Sequence, residues 1–297
     1  MIHFAVPTPS DFVFKATVES HGWYQLVPFH YDHETGILAR PFLLSNGKTV
    51  RVHMRGGKGN VVLVDVIGRP LITSRDRNAI ITAVKHIFNL NTRLTDFYDT
   101  MQKTDGYAWV AEKKVGRLLA SPTVWEDVVK TLTTTNVSWE NTVKMCAKLS
   151  ALDENGIFPS PDKIVSMDAD TLAEKTGLGY RAPYLHELAT RITEDDAPLA
   201  IESWRQLASD DLYKAIMDLS GFGDYAAGTV MRLLGHYDKL AIDTVARKAF
   251  EHVTGNPPES DTDIRDYYAD FGKWRGLVLW MDCIRDETED APQPIES

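Results

Sequence analysis

Hydrophobic and polar positions change their period within the first hundred residues of the chain. Over residues 1 to about 70, apolar residues occur in short, partly alternating runs bounded by turn signals such as Asn46-Gly47, and this pattern predicts antiparallel strands. The expected strands are 12–18, 36–40, 48–54 and 60–66, with a hairpin loop at 56–59. A helical period then predicts a helix over 75–88, with Ser74 able to cap it.

The pattern stays helical from Leu94 to the end of the chain. The predicted helices are 96–102, 107–112, 123–133, 138–149, 161–167, 169–176, 181–192, 198–207, 210–219, 224–234, 244–253, 261–269 and 273–285, with Ser138, Asp168 and Asp261 as N-caps. We therefore expect an α+β protein. Its expected parts are an antiparallel-sheet accessory domain with helices (1–100), an all-α core (101–285) and an acidic, flexible tail (286–297).

Composition limits the function classes. A hydrophobic fraction of 43% and a charged fraction of 25% are ordinary for a soluble globular protein, and no signal peptide or membrane span is visible, so we expect a cytoplasmic protein. The two cysteines, Cys146 and Cys283, exclude a disulfide framework and a four-cysteine metal site. The net charge of −10 argues against general affinity for nucleic acid, so any DNA contact must be local.

One glycine turn separates two helix-forming runs. Residues 213–219 and 225–234 flank Gly221-Phe222-Gly223, which is the pattern of a helix-hairpin-helix. The N–H groups that begin the second helix suit a phosphate. Asp243 follows in an otherwise apolar approach to another helix. Taken alone, such an aspartate is more often an N-cap than a catalytic carboxylate.

These residues resemble the helix-hairpin-helix superfamily of DNA glycosylases. The resemblance rests on the glycine turn followed by Asp243, on 177–184 (similar to 8-oxoguanine DNA glycosylases) and on the loop 133–136. Residues 21–26 are similar to the accessory domain shared by 8-oxoguanine glycosylases and 3-methyladenine DNA glycosylase II. The resemblance runs from about residue 12 to residue 284, and it implies excision of a damaged or modified base from DNA.

The resemblance implies a role for each part of the chain. Asp243 would stabilise the oxocarbenium-like sugar and orient water, because base removal is a glycoside cleavage. Asn136, Tyr180 and Arg181 would fill the gap left by the flipped base, and we call them the wedge residues. The alternative is that Tyr180 is core and Arg181 a surface charge. Phosphate would bind the N–H groups of Gly221, Gly223 and Tyr225, and the carbonyls of Met217, Leu219 and Phe222 would bind a monovalent cation such as Na⁺ or K⁺.

Departures from the family pattern define the expected chemistry. Strand-cleaving relatives carry a lysine nucleophile where this chain has Tyr225, so a monofunctional enzyme is expected, with no required cofactor. The expected base pocket consists of Tyr225, Thr229, Val245, Gly276 and Trp280. The Trp280 ring would stack on an electron-poor base, although it could also be core, and Gly276 could leave room for a bulky group.

An alkylated purine is therefore the leading substrate, and a bulky modified base of foreign DNA is the second. The expected partner is double-stranded DNA, bound by a monomer, with no membrane association. Two alternatives stay open: a non-catalytic DNA-damage-binding protein on the same fold, and a bifunctional 8-oxoguanine-type glycosylase/lyase.

Overall fold

The computed structural model describes residues 2–68, 71–196 and 198–285, and its N-terminal part is built on one antiparallel sheet. The strands are β1 Ile2–Pro7, β2 His30–Asp32, β3 Ile37–Leu43, β4 Thr49–Gly57 and β5 Val61–Val66, in the order β1-β5-β4-β3-β2. Met54 of β4 lies opposite Leu38 and Val64, and all three side chains are fully buried. This alternation places one face of the sheet in a hydrophobic core.

Two short helical segments precede β2, and a longer helix covers the core after β5. Helix α1 is Phe14–Val18, a 3-10 turn follows at Gly22–Gln25, and α2 is Ser74–Ile87. The cap of α2 is Thr73, which forms a capping box with Asp76, rather than the predicted Ser74. Ile80 and Val84 of α2 pack in the same core as the sheet.

The predicted strand at 12–18 is wrong, because most of this segment forms α1. The Thr17 hydroxyl donates to the Val13 carbonyl at 2.9 Å, and the turn buries Thr17 and Val18. The pattern also missed β1 and β2. Strand β1 pairs with β5 along its whole length, and this distant partner is not visible in the local sequence of β1. Strand β2 has only three residues, which is too short for an alternating pattern to be recognised.

The rest of the described chain is helical. The helices are α3 Thr95–Lys103, α4 Ala108–Glu112, α5 Val124–Thr134, α6 Trp139–Ser150, α7 Pro161–Val165, α8 Ala169–Thr176, α9 Ala182–Thr193, α10 Ser209–Met217, α11 Asp224–Leu233, α12 Thr244–Thr254, α13 Asp261–Tyr267 and α14 Arg275–Cys283. The predicted helix at 198–207 is a 3-10 helix, Ile201–Gln206. The cap at Asp168 is confirmed, Ser138 caps by position only, and the cap of α13 is Ser260 rather than Asp261.

These elements confirm the α+β fold class. The division at residue 100 stays a prediction; α3 spans that position, and its Phe97 and Met101 pack with residues of α12 and α14. The predicted acidic tail, 286–297, lies outside the described residues. None of the described helices has both the length and the apolarity that crossing a bilayer requires.

Buried polar contacts join the sheet to α5. Glu126 accepts two hydrogen bonds from Arg40 of β3, at 3.2 and 3.0 Å, and one from Lys130 at 2.7 Å. Burial alone would raise the pKa of Glu126, but these two cations lower it to about 2. The Trp23 indole N–H donates to Asp127 of α5 at 2.9 Å. The segment around residue 21 is thereby fixed against the helical core.

Candidate active site

The hairpin turn between α10 and α11 requires glycine at Gly221. Its φ is +83°, and a Cβ atom there would lie 2.5 Å from Cδ2 of Tyr184. Gly223 is the N-cap of α11, in extended backbone and without a capping side chain. A Cβ at Gly223 would meet nothing within 4 Å, so the approach to the first turn of α11 is open. This geometry suits a phosphate at the helix N-terminus.

The first residue of α11 carries a charge that is already paired. Asp224 accepts a hydrogen bond from the Tyr213 hydroxyl at 2.5 Å and one from Arg265 at 3.1 Å. The Arg265 guanidinium offsets the negative charge of this carboxylate, which would otherwise repel a phosphate.

The predicted cation ligands are three backbone carbonyls at the same turn. Among Met217, Leu219 and Phe222, the Leu219 carbonyl accepts a 3.2 Å bond from the Phe222 N–H and keeps its second lone pair. Oxygen donors of this kind fit Na⁺ or K⁺. Binding of a monovalent cation stays a prediction.

Asp243 has one carboxylate oxygen engaged and one available. Its Oδ1 accepts the Ala246 N–H at 2.8 Å, so the N-cap interpretation is confirmed. Its Oδ2 forms no hydrogen bond with any described residue. The carboxylate is half-buried, and it can therefore cap α12 and still present an oxygen to a substrate.

Two glycines position the segment that leads to Asp243. A Cβ at Gly228 of α11 would lie 2.8 Å from the Leu240 carbonyl oxygen and 2.9 Å from the Ala241 nitrogen. On the other side, the Gly276 N–H of α14 donates to the Tyr237 carbonyl at 2.7 Å. The backbone of 237–241 thus passes between α11 and α14 in direct contact with both.

This packing corrects the role predicted for Gly276. A Cβ at Gly276 would overlap the Lys239 carbonyl oxygen. The space beside Gly276 is filled by main chain, so this glycine does not make room for a bulky base.

Trp280, His21 and Arg232 come from three parts of the chain and lie together. We call these three residues the Trp280 wall. The Trp280 indole N–H donates to the Ser20 carbonyl at 3.0 Å, and the ring of His21 lies edge-on to the Trp280 ring at 6.3 Å. The guanidinium of Arg232 lies 4.3 Å from the centre of the Trp280 ring. Trp280 is thus fixed at both its N–H and one face, and that face is covered by a cation.

His21 is a neutral member of this wall. Its Nε2–H donates to the Leu119 carbonyl at 2.6 Å. Burial lowers the pKa of His21 to about 3, with further lowering from the nearby Arg232 charge. The ring is therefore uncharged at neutral pH.

The other predicted pocket residues lie along α11 and at the start of α12. Tyr225 is half-buried, and Thr229 is buried with its hydroxyl donating to the Tyr225 carbonyl at 2.9 Å. Val245 is 50% exposed. Their contact with a base stays a prediction, and the hydroxyl of Thr229 is already used within its own helix.

Two of the three wedge residues are exposed. Tyr180 is 55% exposed, and Asn136 is exposed with φ of +47°. Arg181 is only 5% exposed, and its contact with an unpaired base stays a prediction. Its guanidinium donates to the Thr135 carbonyl and stacks 4.5 Å from the Tyr180 ring. Arg181 is a positioning residue, because it contacts the segments that present the other two.

Tyr184 connects the wedge to the hairpin. Its ring lies edge-on to Tyr180 at 6.2 Å and also fills the space beside Gly221. Tyr184 therefore contacts both surfaces that are predicted to meet DNA.

Sequence reasoning missed Arg232, His21 and Tyr184 as site residues. Arg232 follows Tyr225 by seven positions and Thr229 by three, which places it on their face of α11. The charge of Arg232 on an otherwise uncharged face of α11 was the signal that could have identified it as a site residue. Nothing in the local sequence indicates that His21 approaches Trp280, since 259 positions separate them.

Residues 129–270 match the model of the HhH-GPD superfamily base excision DNA repair proteins. An N-glycosylase/DNA lyase of Saccharomyces cerevisiae is 22% identical over 183 residues, which is 56% of this chain and 49% of the relative. The chain thus spans about half the length of this curated relative. The match supports the predicted enzyme class, a DNA N-glycosylase.

Solved structures share the fold over nearly the whole chain. A 3-methyladenine DNA glycosylase from Archaeoglobus fulgidus superposes with a TM-score of 0.74 at 18% identity, covering 98% of this chain and 100% of its own. An 8-oxoguanine glycosylase/lyase of Clostridium acetobutylicum, in complex with double-stranded DNA, gives 0.69 at 18% identity, with coverages of 97% and 99%. The fold is therefore shared with both, and at this identity the likeness does not separate their substrates.

Proposed function

We propose that this chain, whose residues 129–270 match the model of the HhH-GPD superfamily of base excision DNA repair proteins, is a DNA N-glycosylase that hydrolyses the glycosidic bond of a flipped base. The observation that carries the proposal is the carboxylate of Asp243. It is fixed by its N-cap bond, keeps one oxygen available, and follows a segment packed between α11 and α14.

The free oxygen of Asp243 suits the chemistry of base release. As the C1′–N bond breaks, its electron pair leaves with the base, and positive charge develops on the sugar. A fixed carboxylate stabilises that charge, and it can accept a proton from the water that attacks C1′. The departing base takes up the proton that the water has lost, so the products are an abasic site and a free, protonated base.

The exposed surfaces around Asp243 suit double-stranded DNA. The first turn of α11 would hold a phosphate of the backbone, and Tyr180 would occupy the space that the flipped base leaves in the stack. With a net charge of −10, affinity must come from these local contacts. We expect a single copy of the chain to suffice.

The residues near Asp243 favour a monofunctional reaction. Tyr225 carries no amine, and the ammonium of Lys239 is paired with Asp210 at 2.9 Å. Water is then the nucleophile. Borohydride should trap no covalent complex with DNA, and a trapped complex would instead support the bifunctional alternative.

The structure weakens the reasons for both predicted substrates. The case for an alkylated purine rested on an accessible Trp280 face, and Arg232 covers one of the two faces. The case for a bulky base rested on space beside Gly276, which main chain fills. The class of base must therefore be inferred from the observed contacts of Trp280, His21 and Arg232.

Replacing Asp243 with Asn tests the proposal. Asn preserves the cap and the shape but removes the charge, so base release should fall about 100- to 1,000-fold while DNA binding persists. Release is measured by mass spectrometry of free bases from damaged and modified duplexes. Asp168→Asn is the matched control, because Asp168 also caps a helix, at 2.8 Å, and is exposed on α8. Equal release by Asp243→Asn and wild type would leave the non-catalytic DNA-damage binder as the better assignment.

A further inference from the structure

Arg232 is a buried cation that packs on an aromatic ring. Its side chain is 8% exposed, and it forms no hydrogen bond or ion pair with any described residue. Its one specific contact is the face of the Trp280 ring. A guanidinium has five N–H donors, and burying them unpaired is costly.

The other buried cations in the described chain each donate at least one hydrogen bond to the protein. Arg40 and Lys130 bond to Glu126, Arg117 bonds to Asp11 and to two carbonyls, and Arg181 bonds to Thr135. Arg232 differs from this set, so its donors are available to a group that the free protein does not contain.

The surroundings of Arg232 place that group at the reaction centre. Arg232 lies two helical turns beyond Tyr225 on the same face of α11. Burial lowers the pKa of its guanidinium, while Cys283, Tyr225 and Asp243 lie near enough for their negative forms to act in the opposite direction. The Arg232 guanidinium therefore contacts the Trp280 ring and has the candidate catalytic carboxylate among its charged neighbours.

A fixed positive charge at this position selects by charge and by hydrogen bonding. It repels a base that is itself cationic, such as an N3- or N7-alkylated purine, and it already covers the ring face that would attract one. A guanidinium binds two neighbouring acceptors at once, as it does with O6 and N7 of guanine. Neutral His21 adds no charge that would change this preference.

We propose that Arg232 is a specificity-determining residue that reads an uncharged base through two adjacent acceptor atoms and excludes cationic alkylated bases. This inference rests on the proposed function of the same site. It names the substrate class as neutral bases with two adjacent acceptor atoms, of which substituted cytosines, with N3 and O2, are an example.

The test compares Arg232→Leu and Arg232→Lys with wild type. Duplexes carry one 7-methylguanine or 3-methyladenine (cationic), or one 5-methylcytosine or 5-hydroxymethylcytosine (neutral, with N3 and O2 as adjacent acceptors). Wild type should release a neutral base at least tenfold faster than either cationic base. Arg232→Leu should lose at least tenfold on the neutral base and gain on the cationic ones. Arg232→Lys retains the charge but not the paired donors, so it should lose the neutral base and still reject the cations.

A binding readout separates this inference from the proposed function. The same duplexes are titrated against Asp243→Asn with either Arg or Leu at position 232, and thermal unfolding confirms that both proteins are folded. A charge preference that disappears with Leu supports the inference even if no base is ever released. Release without any neutral-over-cationic preference, or equal losses on all four bases in Arg232→Leu, overturns it and leaves the proposed function standing.

Discussion

Replacing Gly228 with Ala should impair base release by displacing the approach to Asp243. The added Cβ would lie 2.8 Å from the Leu240 carbonyl oxygen and 2.9 Å from the Ala241 nitrogen, against an ordinary contact of at least 3.4 Å. The backbone at Leu240 and Ala241 must therefore move away by roughly 0.5 Å. Asp243 is only two residues after Ala241, so we expect its carboxylate to move as well. Because a 1 Å misplacement can cost about 100-fold in rate, we expect about a tenfold loss in single-turnover base release.

The expected change in stability is smaller than the expected change in rate. Overpacking costs about 1–3 kcal/mol, whereas replacing glycine inside a helix returns about 1 kcal/mol. Urea unfolding and single-turnover release should therefore be measured on the same preparation. Gly276→Ala, which intrudes on the other side of 237–241, should give the same pattern with a larger rate loss.

Val278→Ala provides the control for a general loss of stability. Val278 is fully buried on α14 in the same apolar cluster as Leu240, and truncating it should cost about 1–3 kcal/mol without adding any atom. If Val278→Ala slows release as much as Gly228→Ala at equal stability, or if Gly228→Ala releases base at the wild-type rate, the positioning argument is refuted.

Two further changes test the wedge and the wall. Tyr180→Ala should weaken binding to duplexes with a flipped or abasic nucleotide about tenfold, as measured by fluorescence anisotropy. Because Tyr180 is 55% exposed, the free energy of unfolding should change by no more than about 0.5 kcal/mol. Unchanged binding would remove Tyr180 from the wedge. For His21, the folded pKa is lowered from 6.5 to about 3, so the unfolded state binds the extra proton. The free energy of unfolding should fall by about 3–5 kcal/mol as the pH drops from 6.5 toward 3, with no contribution above 6.5. His21→Gln keeps an N–H for Leu119 and should flatten this dependence in urea titrations; an identical slope would show that His21 is protonated in the fold.

Local patterns predicted most of the helices because each has its own caps and apolar face. Asp168 caps α8 as expected, and Asp224–Leu233 departs from its predicted range by one residue. The errors fall where pairing partners are distant in sequence. Strand β1 is defined by β5, some sixty residues later, and α1 is too short for its period to be distinguished from alternation.

The sequence predicted the hairpin turn and the helix cap of the candidate site. Asp243 and the hairpin glycines lie where the pattern placed them, since a turn and a cap are local features. The space predicted beside Gly276 is absent, because packing against a segment elsewhere in the chain decides it. Gly276 meets the main chain at Lys239, and Arg181 meets the carbonyl of Thr135.

The packing of Tyr184 links backbone contact to base flipping. Its ring fills the space that a side chain at Gly221 would need, and it supports Tyr180 from the side. Close packing makes such a contact nearly incompressible, so the hairpin turn cannot shift without moving the ring that supports Tyr180. Arg181 adds a second constraint, because it binds the loop of Asn136 and stacks on Tyr180. We therefore expect a phosphate bound at the hairpin to fix the position of Tyr180 relative to the base stack.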